Sequence, residues 1–125
     1  MYSAAYRKRG LMPIFDKSQL MRGALEGVIL KIISIHTTYG YEILELLKKS
    51  GFIDISEGTI YPMLLRLEKQ GSIVSELRNS PLGPKRKYYT VTDSGKRYLN
   101  DFVESWKQLS GSVNKIVDEK AGQKI

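Results

Sequence analysis

Near Gly71 the chain changes its apolar rhythm, and few folds accommodate that change. Before it, apolar residues recur at helical spacing; from Ile73 to Arg78 and again from Arg86 to Val91 they alternate loosely with polar ones. The two rhythms belong to helix and strand respectively. The first helical stripe runs from Ser18 through Met21, Leu25, Val28, Ile29, Ile32 and Ile33 and should end near Thr37. Thr38 is placed to cap a second helix with stripe Ile43, Leu44 and Leu47, which Lys48 and Lys49 end with last-turn cations and Gly51 with a C′ glycine. A third helix opens between Ser56 and Thr59. Pro62 lies near its beginning, where a first-turn amide has no intrahelical acceptor to lose. Its stripe is Ile60, Met63, Leu64 and Leu67, leaving Thr59, Tyr61, Pro62, Leu65, Arg66 and Lys69 on the opposite face, and Gly71 stops it.

The two alternating segments flank Asn79-Ser80-Pro81-Leu82-Gly83-Pro84-Lys85, a run whose prolines and glycine predict a hairpin loop. Thr92-Asp93 then caps a last helix with an acid in its first turn. On it Leu99, Phe102, Trp106, Leu109, Val113 and Ile116 are spaced 3, 4, 3, 4 and 3 residues apart, the narrow seam a partner helix requires, with Gly111 interrupting the helix. The reading is mainly α with a β-hairpin wing: a basic arm over residues 1–17, a winged helix-turn-helix over 18–91, a dimerisation helix over 92–119 and a structureless tail over 120–125.

Charge sorts along the same divisions. The chain has 125 residues and a formal net charge of +7. Residues 1–25 hold five basic and one acidic side chain, residues 26–77 five and seven, residues 78–100 six and one, and residues 101–125 four and four. Two basic patches point to an anionic partner, nucleic acid before membrane. The chain lacks Cys and has one His, His36, so thiolate catalysis, disulfides and imidazole-based metal sites are excluded; no catalytic, metal or cofactor site is expected. His36 reads as a capping or dipole-facing residue, and Glu42 and Glu45 as surface partners of Lys48 and Lys49. No run approaches the ~20 apolar residues of a membrane-spanning helix, and Arg7-Lys8-Arg9 lies in a terminus without the apolar stretch of a signal peptide, so a cytoplasmic protein is expected.

In such an arrangement the third helix enters the major groove of double-stranded DNA. Thr59, Tyr61 and Arg66 offer hydrogen bonds, and Leu65 can meet a thymine methyl. With no outward Asn or Gln near its start, this face leans on phosphate contacts and DNA shape for part of its specificity. Lys85, Arg86 and Lys87 on the wing reach for backbone or minor groove, with Lys17 and Arg22 of the first helix as added contacts. A solvated hairpin end and an untethered arm are the plainer alternatives.

Several stretches carry a further signal: Thr38-Tyr39-Gly40-Tyr41-Glu42-Ile43, Ser56-Glu57-Gly58-Thr59-Ile60-Tyr61-Pro62, Arg66-Leu67-Glu68-Lys69-Gln70-Gly71, and Lys85-Arg86-Lys87-Tyr88-Tyr89-Thr90-Val91-Thr92-Asp93-Ser94-Gly95. In this order and spacing, over about residues 20–117, the chain resembles the PadR-like winged-helix transcriptional regulators, particularly the short members with one C-terminal helix. The resemblance implies a homodimeric repressor that binds palindromic operators and is released by a small molecule. It implies a DNA surface including Tyr39, Ser56, Thr59, Tyr61 and Lys85 to Lys87, and a dimer built from the last helix together with the first. Trp106, in its Glu104-Ser105-Trp106 setting, corresponds to a tryptophan that faces flat aromatic effectors in several relatives, with Phe102 and Leu109 as walls; simple packing in the seam is the other reading. The basic arm, Ser72 and Gly111 depart from the family pattern. A non-specific architectural or RNA-binding module and a winged-helix protein adaptor are the competing functions.

Overall fold

A computed structural model describes residues 15–124. The arm residues 1–14, with Arg7, Lys8 and Arg9, lie outside this range. Along the chain, α1 (Lys17–Ile35), β1 (Thr38–Tyr39), α2 (Gly40–Lys49), α3 (Glu57–Lys69), β2 (Ile73–Ser80), β3 (Gly83–Val91) and α4 (Asp93–Val117) follow one another. The strands make one antiparallel sheet in the order β1-β3-β2. Mainly α with a β-hairpin wing is thus the fold observed, and α4 leaves it as a long final helix.

The core lies where the helical stripes meet the inner face of the sheet. Leu25, Ile29 and Leu30 of α1, Ile43 and Leu47 of α2, Ile60, Leu64 and Leu67 of α3 and Ile73 of β2 are all buried. The glycine stops work as expected. Gly51 and Gly71 adopt φ of 111° and 83°, and each helix closes with paired backbone bonds: Phe52 N to Leu47 O at 2.9 Å with Gly51 N to Lys48 O, and Ser72 N to Leu67 O at 3.0 Å with Gly71 N to Glu68 O. Ser72, a buried hydroxyl at an otherwise apolar place, accepts from Gln70 Nε2 at 2.7 Å and so costs no unsatisfied polar group.

Several local expectations change. α1 begins at Lys17 rather than Ser18 and is capped by Asp16: its carboxylate accepts from Ser18 N at 3.0 Å, and the Ser18 hydroxyl holds that carboxyl below its ordinary pKa. Thr38 does not cap α2. It pairs opposite Tyr89 as part of β1, fully buried, and Tyr39 takes the cap position with no side-chain bond. Glu42 accepts from the Thr38 hydroxyl and faces His36 Nε2 at 3.5 Å, and among the described residues neither Glu42 nor Glu45 pairs with Lys48 or Lys49.

Pro62 is the sixth residue of α3, beyond the first turn, so it removes the amide that would bond Gly58 O. The wing is longer than its proline-rich middle suggests: β2 and β3 pair from Ile73↔Val91 out to Ser80↔Gly83, leaving only Pro81-Leu82 as the turn. A register shift between Arg78 and Ser80 sets Pro84 and Lys85 against the single Asn79, and this bulge accommodates a residue with no N–H. Lys85, Arg86 and Lys87 are therefore strand residues. At the other end, the tail through residue 124 forms a turn, with Gln123 N donating to Lys120 O at 3.1 Å.

Candidate nucleic-acid interface

β1 is what assembles this surface. By pairing Tyr39 with Tyr88, it pins the start of α2 to the wing. A shallow hollow of about 230 Å³ results, lined by Tyr39, Gly40, Tyr41, Tyr61, Lys85, Arg86 and Lys87. Gly40 gives room for this approach: a Cβ there would lie 2.6 Å from Tyr61 Oη and 2.8 Å from Cε1, so the Tyr61 ring would have to swing aside. Five expected residues, Tyr39, Tyr61 and Lys85 to Lys87, thus converge from three elements. Ser56 and Thr59 stand on the first turn of α3, where Ser56 takes the N-cap position without a side-chain cap bond.

The pleat divides the wing cations. Arg86 shares a face with Tyr88, Tyr39, Arg78 and Glu76 and lies over the Tyr39 ring, 4.4 Å from its centroid. Lys87 is on the opposite face toward α3, where Nζ reaches Glu68 Oε1 at 3.2 Å and sits 5.9 Å above the Tyr89 ring. The Ser75 hydroxyl donates to Glu68 at 2.6 Å and, with Lys87, holds that carboxyl below the ordinary Glu range. Burial raises the Tyr89 hydroxyl's pKa, with Glu68 adding to it, so Tyr89 stays neutral. The three basic residues thus border one hollow but are engaged differently: Arg86 is stacked on Tyr39 and Lys87 is paired with Glu68.

Other expected contacts sit elsewhere. Arg66 donates from Nε and Nη2 to Glu26 Oε2 at 3.1 and 2.8 Å, joining α3 to α1. Arg22 donates to Ser18 Oγ at 3.4 Å and lines a cleft with Tyr98 and Asp101. Lys17 borders a hollow with Phe52 and Trp106. Both fall on the α1/α4 side, lining hollows other than that of the Tyr39 cluster. Arg78, outside every quoted stretch, and Tyr88, inside one but given no role there, join the stacked outer face; strand alternation from Arg86 was the available signal.

Along α4 the seam divides in two. Leu99 is 6% exposed within the chain's own core, and Phe102 packs on Gly27, where a Cβ would lie 2.4 Å from the ring. Leu99 is therefore not free for a partner helix. Trp106 is 47% exposed, Leu109 61%, Val113 46% and Ile116 61%. Two apolar hollows of about 570 and 410 Å³ flank Trp106 between α1 and α4, Leu109 lining the first and Phe102 both.

Among the described residues, no His, Asp and Glu side chains gather to hold a metal ion, and no helix is long and apolar enough to cross a membrane. Residues 29–101 match the transcriptional regulator PadR-like family. A Lysinibacillus sphaericus protein designated uncharacterized protein X is 36% identical over 82% of this chain and 92% of its own, and a transcriptional regulator of Mycobacterium tuberculosis 30% identical over 76% and 87%. The crystal structure of a PadR-like transcriptional regulator from Bacillus cereus superposes with a TM-score of 0.74 at 48% identity, covering 82% of this chain and 99% of that one. A Streptococcus transcriptional regulator gives 0.72 at 41%, covering 80% and 98%. The family, the Mycobacterium tuberculosis relative and both solved structures are transcriptional regulators by name. With a winged helix, a β1 strand that joins helix to wing and this likeness over most of its length, the chain belongs to the PadR-like family of transcriptional regulators.

Proposed function

We propose that this regulator acts in the cytoplasm as a homodimeric repressor that binds a palindromic operator and releases it when a small planar aromatic molecule binds near Trp106. The observation carrying this reading is the exposed apolar run Trp106, Leu109, Val113 and Ile116 on one face of α4, continuing from the packed Leu99 and Phe102. A second copy would cover it, and the hollows beside Trp106 fall within the ~300–1,000 Å³ of ordinary ligand pockets. The DNA surface of this reading is Tyr39, Ser56, Thr59, Tyr61, Lys85 and Arg86, with Lys87 contributing once it leaves Glu68.

Two recognition helices in such a dimer sit about one turn of DNA, ~34 Å, apart, so the protected site has two-fold symmetry. Mobility shifts on DNA from upstream of the protein's own coding sequence, against competitor DNA and at several salt concentrations, test the reading. Sequence-selective binding that weakens steeply with salt is expected, and binding indifferent to sequence would return the chain to the architectural alternative. Light scattering should report twice the 14.2 kDa chain mass. Trp106→Ala should abolish the response to a planar aromatic ligand and leave DNA affinity nearly unchanged.

A further inference from the structure

The outer face of the wing carries a stack that spans all three strands. Arg86 lies over the Tyr39 ring at 4.4 Å; the Tyr39 and Tyr88 rings are 5.2 Å apart and inclined at 55°; Arg78 lies over Tyr88 at 4.7 Å. Behind Arg78, Glu76 Oε1 accepts from Nε at 2.9 Å and Nη2 at 2.7 Å. Register explains the order, since Tyr88 stands opposite both Tyr39 and Glu76, and Arg78 opposite Arg86. The two arginines differ in charge balance. Arg78 is neutralised by Glu76, whereas among the described residues Arg86 has no acidic group within ion-pair distance.

We infer that Tyr88 is a positioning residue for DNA binding: braced by the Glu76–Arg78 pair, it fixes the Tyr39 ring, which holds the Arg86 guanidinium ready for a backbone phosphate beside Tyr61 and the start of α2. The inference rests on the DNA-binding reading of this face. An unsupported arginine must surrender rotamer freedom when it grips a phosphate, while one stacked on an aromatic face has surrendered it in the free protein. The planar guanidinium keeps its edge donors available while its face rests on the ring. A device of this kind needs the ring of Tyr88 and not its hydroxyl.

The experiment is fluorescence anisotropy with a labelled duplex from upstream of the protein's own coding sequence, over a salt series, for the wild type, Arg86→Ala, Arg86→Lys, Tyr88→Leu, Tyr88→Phe and the Arg86→Ala/Tyr88→Leu and Arg86→Lys/Tyr88→Leu double variants. Arg86→Ala should lower affinity about tenfold and flatten the plot of log K against log salt by about one contact's worth, ~0.9. Tyr88→Leu should cost about three- to fivefold and Tyr88→Phe less than about twofold, since the ring remains. With Tyr88→Leu already present, Arg86→Ala should cost only about two- to threefold, about half as much or less on a logarithmic scale; a general loss of folded protein would leave that cost unchanged. Arg86→Lys keeps a charge but not the planar stack, so Tyr88→Leu should have little effect beside it. Should Tyr88→Leu fold poorly, Tyr88→Thr, a good strand former, takes its place in the cycle. Additive penalties, or wild-type affinity in the folded Tyr88 variant, would overturn the inference and leave the DNA reading standing. Wild-type affinity and salt slope in Arg86→Ala would overturn the DNA reading of this face itself.

Discussion

Two glycines in α4 should respond to alanine with opposite signs. Propensity alone favours Ala over Gly inside a helix by roughly 0.5–1 kcal/mol. At Gly111 nothing lies within 4 Å of an added Cβ, and the position is off the Trp106 to Ile116 seam, so Gly111→Ala should stabilise the protein by up to ~1 kcal/mol. At Gly95 the same Cβ would lie 2.0 Å from the Ser72 carbonyl oxygen and 2.9 Å from Val91 Cγ2. Restoring an ordinary C···O separation of ~3.3 Å requires a retreat of more than 1 Å, and the obstacle is backbone rather than a side chain that can swing aside. That retreat strains packing by about 1–3 kcal/mol and weakens the Thr92 N to Ser72 O bond, 3.0 Å long, by about 1 kcal/mol. After the propensity gain of roughly 0.5–1 kcal/mol is subtracted, Gly95→Ala should lose about 1–3.5 kcal/mol, a Tm fall of roughly 5–15 °C. Far-UV circular dichroism during thermal and urea unfolding, at one fixed protein concentration because self-association would shift the midpoint, reads both variants. A Gly95→Ala protein as stable as the wild type, or more so, would refute the close-approach argument.

Further outcomes follow from individual contacts. Arg66→Ala should cost at most ~1 kcal/mol, as exposed ion pairs do, and leave DNA affinity within about twofold; a tenfold affinity loss in the anisotropy assay would make Arg66 a DNA contact after all. Because Ser75 and Lys87 depress the Glu68 pKa below its ordinary 4.5, their contribution is present above that pH and is lost as pH falls through the lower folded-state value. Glu68→Gln should therefore destabilise at pH 7 and converge on the wild type in acid; an equal loss at pH 7 and pH 3 refutes this. Gly27→Ala should destabilise by ~1–3 kcal/mol by displacing the Phe102 ring, and Phe102→Leu on that background should recover part of the loss in the same unfolding assay.

The elements legible in the sequence were those encoded by local patterns. Three stripes, the Gly51 and Gly71 stops, and the Thr92 cap, whose hydroxyl accepts from Gly95 N at 3.0 Å, needed no knowledge of distant neighbours. β1 was invisible because two residues have no period; only pairing with Tyr88 and Tyr89, some fifty positions later, makes Thr38 and Tyr39 a strand. Pro84 reads as loop until the bulge opposite Asn79 supplies a place where no donor is needed. For the interface, residue types pointed to Tyr61 and Arg86 and the family resemblance to Tyr39, but neither showed which cations were occupied. Arg66 meets Glu26 forty residues earlier in the chain, and Lys87 meets Glu68 across the sheet's inner face. Such partners belong to tertiary packing, whereas the opposite facing of Arg86 and Lys87 follows from strand alternation and was readable once that segment was taken as strand.

The corner at Gly71 also sets a mechanical ratio. Both the Thr92 and Ser94 hydroxyls donate to Gly71 O, at 2.6 and 2.9 Å, and Thr92 N bonds Ser72, so the end of α3, the root of both wing strands and the first turn of α4 meet at one point. Trp106 lies thirteen residues beyond Asp93, about 20 Å along a helix rising ~1.5 Å per residue. With this corner as fulcrum, a tilt of about 3° would carry the indole ~1 Å if α4 moved as a rod. Leu99 in the core and Phe102 on Gly27 hold its first turns to α1, and the tight seat of Gly95 against the Ser72 carbonyl leaves the joint itself little play.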